Sequence, residues 1–180
     1  DDAIKLTGAW YDRDSIYSFK KAVRKFNISM TIEGDKVLHL DESYRIYNGS
    51  MYHNWATQIN DGKIFTQYFL NDNITPQENS QIELGPLPAV TFSSLVPYLQ
   101  KIKLHRNLEK NINIITSDES GTILRPFKIK VVDEQDISVE GLGIKNCYFI
   151  YVFSLDASND EEQRIYIDKN SKEIVSIDYI

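Results

Sequence analysis

The chain lacks a second cysteine. Cys147 stands alone among 180 residues, so no internal disulfide can form and the fold must rest on its core. Cys147 also falls in the apolar run Cys147 to Leu155, where a free thiol is expected to be buried. Basic residues are not clustered except at Lys20, Lys21, Arg24 and Lys25. With 20 basic against 26 acidic side chains and a net charge of −6, nucleic acid is excluded as the main partner. No apolar run reaches the ~20 residues of a membrane-spanning helix, so the chain is read as soluble and not membrane-spanning. It begins at Asp1 rather than Met and carries no signal peptide. This fits a mature protein of the periplasm or cell exterior, and equally a trimmed start.

Motifs for chemistry are missing as well. The three histidines, His39, His53 and His105, include no close pair of the kind zinc sites use. His39 and His53 fall on neighbouring predicted strands, yet ordinary surface or half-buried histidine is the favoured reading. Asp156 to Glu162 offers oxygens at alternate positions, as calcium loops do, but lacks the glycine and late glutamate of an EF-hand; a solvated loop tip is favoured. No Gly-x-Ser-x-Gly elbow is present. Glu33, Asp41 and Glu42 can be drawn into a glycosidase-like carboxylate site, but so can almost any acidic surface. No catalytic residue, metal or cofactor is therefore assigned, and a hydrolase with an unrecognised carboxylate site is the least favoured function.

What is present is alternation. Phe26, Ile28, Met30 and Ile32 alternate with polar residues, giving a half-buried strand. Gly34-Asp35 turns the chain into a second strand, with Leu38, Leu40, Tyr44 and Ile46 on one side and His39, Asp41 and Arg45 on the other. Asn48-Gly49 and Asn60-Asp61-Gly62 are hairpin signals that bound strands over Met51 to Ile59 and Lys63 to Leu70. Asn71 to Gln81 reads as an exposed loop. Ser93 or Ser94 caps a short helix running to Ile102, with Pro97 in its first turn. Strands follow at Asn111 to Thr116, Thr122 to Asp133, Ile137 to Val139, Asn146 to Leu155, Arg164 to Asp168 and Glu173 to Tyr179. Pro126 marks its strand as an edge or a bulge. Near the start, Ile16, Phe19 and Val23 suggest a helix from about Ser15 to Arg24 capped by Asp14, with a strand over Ser15 to Phe19 as the rival.

The expected architecture is mainly β: a curved antiparallel sheet forming an open or closed barrel, with one or two short helices. It is read as a single domain over 1–180, with a lead-in over 1–25, a four-strand meander over 26–70, a helix over 91–103 and C-terminal strands over 111–180. Its 42% hydrophobic content suffices to bury about two thirds of the unfolded surface.

Three stretches resemble a bacterial family of unknown function, the DUF family numbered three-one-zero-eight. Ser94-Leu95-Val96-Pro97-Tyr98-Leu99 is similar to its short helix. Val139-Glu140-Gly141-Leu142-Gly143-Ile144-Lys145-Asn146-Cys147 is similar to its segment between two strands. Arg164 to Lys169, followed by Ile174-Val175-Ser176-Ile177, resembles its closing hairpin. The resemblance covers residues 84–180 and implies an envelope protein with a curved sheet, related in shape to periplasmic lipoprotein carriers. It implies no catalytic residue.

Aromatic residues carry the remaining functional content. Tyr44, Tyr47, Tyr52, Trp55, Phe65, Tyr68 and Phe69 gather in the meander, where such rings can line a pocket for a lipid-like chain or stack on sugars. Filling a core is the plainer use of aromatics in strands. The functional expectation is a noncatalytic envelope protein that binds an apolar or amphipathic ligand, or a protein partner, on these seven residues. The alternative is an interaction module that pairs through a sheet edge such as the Pro126 strand.

Overall fold

A computed structural model describes residues 2–10, 24–48, 51–71, 75–118, 121–156 and 162–179, and within its strands the side chains of 2–10, 24–26, 46–48, 51–52, 118 and 179 stay outside the description. The helix expected over Ser15 to Arg24 falls on residues outside the described ones, save Arg24, which opens a strand. The expected mainly β, antiparallel class is what the chain adopts, in its open form: twelve described strands lie in two sheets, each with two terminal strands.

The residues fall into two compact units. The first comprises Asp1–Pro86 with Thr116–Ile123, the second Leu87–Ile115 with Leu124–Ile180. In the first, β1 (Asp2–Trp10), β2 (Arg24–Glu33), β3 (Lys36–Asn48), β4 (Met51–Asn60), β5 (Lys63–Leu70) and β6 (Glu78–Glu83) form an antiparallel meander in chain order. The β4–β5 hairpin closes on Asp61 and Gly62, both at positive φ (48° and 74°), the conformation that matches strand twist. Beyond the expected strands, β1 occupies the lead-in. β6 forms where a loop was expected over 71–81: its alternation of Ser80 and Ile82 with exposed polar residues is too polar to announce a strand, yet it serves at a sheet end.

One face of this sheet holds the core. Across the register run Met30, Leu40, Ile59 and Ile64, all fully buried. Each removes apolar surface from water at roughly 1.5–3 kcal/mol per side chain. The expectation that Leu38 shares this face is corrected. A bulge makes Ile32 pair with Val37 while Thr31 pairs with His39, so Leu38 is the extra residue, 45% exposed, and Val37 takes the core position.

The second unit is built on β7 (Ala89–Val90), β8 (Glu109–Asp118), β9 (Gly121–Val139), β10 (Gly143–Ser154), β11 (Glu162–Asp168) and β12 (Ile174–Tyr179), in the order 12-11-10-9-8-7, with β7 parallel to β8. The separate strands expected over Thr122 to Asp133 and Ile137 to Val139 are one continuous β9. Pro126 lies in this central strand, not at an edge. Its carbonyl accepts the N–H of Leu155, 2.9 Å away, one residue past the end of β10. The missing proline donor thus falls where the ladder stops, and Pro126 offers no sheet edge.

The helix α1 (Phe92–Lys101) starts earlier than expected. Thr91 is its cap, with Ser94 N–H donating to Thr91 Oγ1 (3.1 Å) and Thr91 N–H to Ser94 Oγ (2.8 Å), a reciprocal capping box. Pro97 therefore sits in the second turn rather than the first and leaves the Ser93 carbonyl without its usual helical donor. Buried Leu95, Tyr98 and Leu99 share the core with Phe127, Ile129, Ile150 and Ile165.

Asp168, 4% exposed, orders the β11–β12 turn. Its Oδ1 accepts the N–H groups of Asn170 (2.7 Å) and Ser171 (3.0 Å), and Lys145 Nζ lies 3.7 Å from Oδ2. The Ser171 and Asn170 donors, then the Lys145 charge, hold its carboxyl below the ordinary carboxylate value. A folded pKa below the unfolded value of about 3.9 contributes stability that is present above that pH and lost as pH falls through the folded value. Wild type is thus expected to melt above Asp168→Asn at pH 7, and the gap should close in strong acid. A gap in Tm that stays constant from pH 7 into that range contradicts this role. Desolvation, followed by the Asp168 charge, pushes the adjacent Cys147 thiol up, so it stays protonated and unreactive at neutral pH.

Candidate functional site: an aromatic ladder on the first sheet

The core face of the first sheet changes character along its strands. Beside the apolar row lies a polar one, in which Glu42 pairs with Thr57 and Thr57 with Thr66, all buried at 4%, 8% and 5% exposure. Thr66 bonds through its hydroxyl to Thr122 at the tip of the β8–β9 hairpin, and the Thr122 N–H donates to Ser80 Oγ at 3.2 Å. Gly121 precedes it at φ +114°, and a Cβ there would lie 3.3 Å from Ser80 Oγ. The left-handed φ favours glycine here, and a Cβ would make Ser80 Oγ give by a few tenths of an ångström.

The next row is aromatic. Tyr44 pairs with Trp55 and Trp55 with Tyr68, with ring centroids 6.3 and 5.2 Å apart. His53, two residues before Trp55 on the same face, stacks against Trp55 and Tyr68, each at 5.8 Å and within 19° of parallel. Its Nδ1 lies 2.6 Å from Tyr68 Oη. All four side chains are half-buried. Because neighbouring strands carry the rings side by side, their faces turn largely to one another, leaving edges and the His53–Tyr68 polar pair to meet anything beyond.

The seven sequence-predicted residues therefore separate. Tyr44, Trp55 and Tyr68 come together. Phe65 and Phe69, an odd number of positions from Tyr68 on β5, lie on the opposite face. Tyr47 and Tyr52 pair in register, but their side chains lie outside the described ones. His53, for which the sequence favoured an ordinary surface or half-buried histidine over a metal ligand, is half-buried and is the missed member of the ladder; its spacing of two from Trp55 was the available signal. The suggested approach of His39 and His53 does not occur. His53 pairs with Ile46, seven positions along β3 from His39, which places the two on opposite faces.

Nor do the carboxylates assemble. Glu33 pairs with Lys36 at the first hairpin, and Asp41 and its neighbour Glu42 point to opposite faces. Glu42 lies two rows from His53, ~13 Å along the strands. Among the described residues no three His, Cys, Asp or Glu side chains could hold a metal ion. The calcium-like segment falls largely on 157–161, outside the described residues. The arrangement offers apolar ring edges and one polar pair, which suits binding.

The fold class these features define is a mainly β protein of two open sheets with an aromatic ladder on one. No known protein family, curated protein or solved structure matches the chain.

Proposed function

We propose that this is a noncatalytic binding protein whose aromatic ladder contacts an apolar or amphipathic ligand. One observation carries the reading: Tyr44, Trp55, Tyr68 and His53 stand in contact yet only half-buried, at the end of a face whose apolar row is fully buried. Apolar edges beside the hydrogen-bonded His53–Tyr68 pair suit a molecule with an apolar body and a polar end. The family resemblance adds a location in the cell envelope, and with it a bacterial source, as part of the same proposal.

Calorimetric titration with fatty acids and lysophospholipids below their micellar concentrations tests it. Saturable one-to-one binding is expected, weakened about tenfold or more (~1.4 kcal/mol or above) by Trp55→Ala or Tyr68→Ala in variants that keep a cooperative melt. Absence of binding to all of these amphiphiles, or binding that ignores both substitutions, ends the reading.

A further inference from the structure

At the polar end of the aromatic ladder, His53 Nδ1 and Tyr68 Oη lie 2.6 Å apart, so one proton lies between them. Neither side chain makes another hydrogen bond among the described residues, and both are half-buried. What such a pair offers outward follows from counting its protons. A neutral imidazole has one donor and one acceptor nitrogen, and a phenol has one O–H. If the Tyr68 hydroxyl donates to Nδ1, then Nε2–H donates outward and Oη accepts. If Nδ1–H donates to Oη, then the hydroxyl donates outward and Nε2 accepts. Either way the neutral pair presents one donor and one acceptor. With the imidazole protonated, Nδ1–H holds Oη, and the pair presents two donors and a positive charge.

The surroundings choose among polar head groups. The ring edges of Tyr44, Trp55 and Tyr68 that are left to meet a ligand are the electropositive part of an aromatic ring, its electronegative faces being turned largely to one another. A quaternary ammonium needs those faces and is therefore disfavoured. On the strands flanking the pair, the titratable and charged residues of this face are Tyr44, Glu42 two rows from His53, Glu78 in register with Tyr68, and Arg24 in the His53 row on β2. Two carboxylates against one guanidinium favour a site that takes up a proton over one that holds a bare anion.

We infer, resting on the reading of this ladder as an amphiphile site, that the ligand's polar end is a carboxyl group and that it binds together with one proton. A ligand carboxylate, a neutral His53–Tyr68 pair and one proton from solvent make up the complex. The proton rests on the ligand, whose acid O–H and C=O then match the acceptor and donor of the neutral pair, or on the imidazole, whose pair then offers two donors to the two carboxylate oxygens. The two arrangements differ in the place of that proton alone, so a carboxyl group is matched in both. A hydroxyl or a primary amide matches the neutral pair and takes up no proton. A phosphocholine head brings a quaternary ammonium that edge-on rings do not hold.

Calorimetric titration with decanoate, decanol and decyltrimethylammonium, which share one chain, tests the assignment below their micellar concentrations. Two buffers of different ionisation enthalpy give the proton count. At pH 8 a fatty acid monomer is a carboxylate and an imidazole is ordinarily neutral. Decanoate is expected to bind with uptake of about one proton per ligand, and to tighten by up to about tenfold per unit as pH is lowered from 8 toward 7, the slope that one bound proton imposes. Decanol should take up none, and decyltrimethylammonium should bind about tenfold or more weakly than decanoate at pH 7. His53→Gln, which keeps a donor and an acceptor but cannot take up the proton, should abolish the uptake and weaken decanoate about tenfold or more in a protein that still melts cooperatively. Tyr68→Phe, which keeps the ring, should weaken decanoate to a similar degree. Decanoate binding without proton uptake, uptake that persists in His53→Gln, or equal binding of decyltrimethylammonium overturns the carboxyl assignment and leaves the ladder an amphiphile site. Failure of all three ligands, and of lysophospholipids as well, ends both.

Discussion

Ile150→Ala is expected to cost about 2–5 kcal/mol of stability, read as a lowered urea midpoint, while Ile144→Ala six residues earlier in the same strand changes it by no more than about 0.5 kcal/mol. Both isoleucines lie on β10. Ile150 is fully buried between Val131 on β9 and Ile165 on β11, at the centre of its sheet, where truncation leaves a space that packed neighbours cannot close. Ile144 pairs with Ser138 in the part of the β9–β10 hairpin that extends beyond β11, and is 73% exposed. The contrast depends on a bulge. Phe149 pairs with Asp133 but Ile150 with Val131, so Val132 is skipped and is 36% exposed. Equal costs at the two positions would refute the register. So would a smaller cost at Ile150 than for Val132→Ala.

That bulge shows where sequence reading stops. The run Cys147 to Leu155 is apolar on both faces, so alternation could not say which side meets α1. Cys147 and Ile150, an odd number of positions apart, are both fully buried, on opposite faces of one central strand. The same ambiguity hid Leu38, which reads as a core residue by spacing and becomes an exposed bulge residue through an insertion that no residue type announces. The meander from Phe26 to Leu70 was legible because period two is interrupted by Gly34-Asp35 and Asp61-Gly62, where the positive φ of Gly34, Asp61 and Gly62 fixes the turns and hence the register.

The aromatic site was half legible for a related reason. Composition identified seven rings in the right strands but not their faces. Parity within β5 already separates Phe65 and Phe69 from Tyr68. Joining Tyr44 to Trp55 needs the β3–β4 register, in which Asn48 pairs with Met51. The amides of Gln58, Gln67, Asn79 and Gln81 around Phe65 carry no motif at all: they converge from β4, β5 and β6, and β6 was read as a loop. Its polar residues hid both a strand and one side of a surface.

Ile64→Lys should abolish cooperative folding of the first unit, a loss above about 4 kcal/mol, whereas Gln58→Lys should melt as wild type within about 0.5 kcal/mol. The two side chains stand on adjacent strands and opposite faces. Ile64 pairs with Ile59 on β4 and Ile82 on β6 and is fully buried in the apolar row with Leu40. An ammonium there would meet no carboxylate within its row, and the penalty for an unpaired buried charge far exceeds what one aliphatic contact contributes. The nearest buried acid, Glu42, lies one row away beside Thr57. If Ile64→Lys retained a native melt, the lysine would have to reach that carboxylate, and Ile64→Lys/Glu42→Gln would then unfold. A native double variant would instead mean that the apolar row is not the core of this sheet, and the ladder built on it would lose its support. On the other face, Gln58→Lys places a cation beside Phe65. Its neutral effect on folding would mark that surface as free of structural duty.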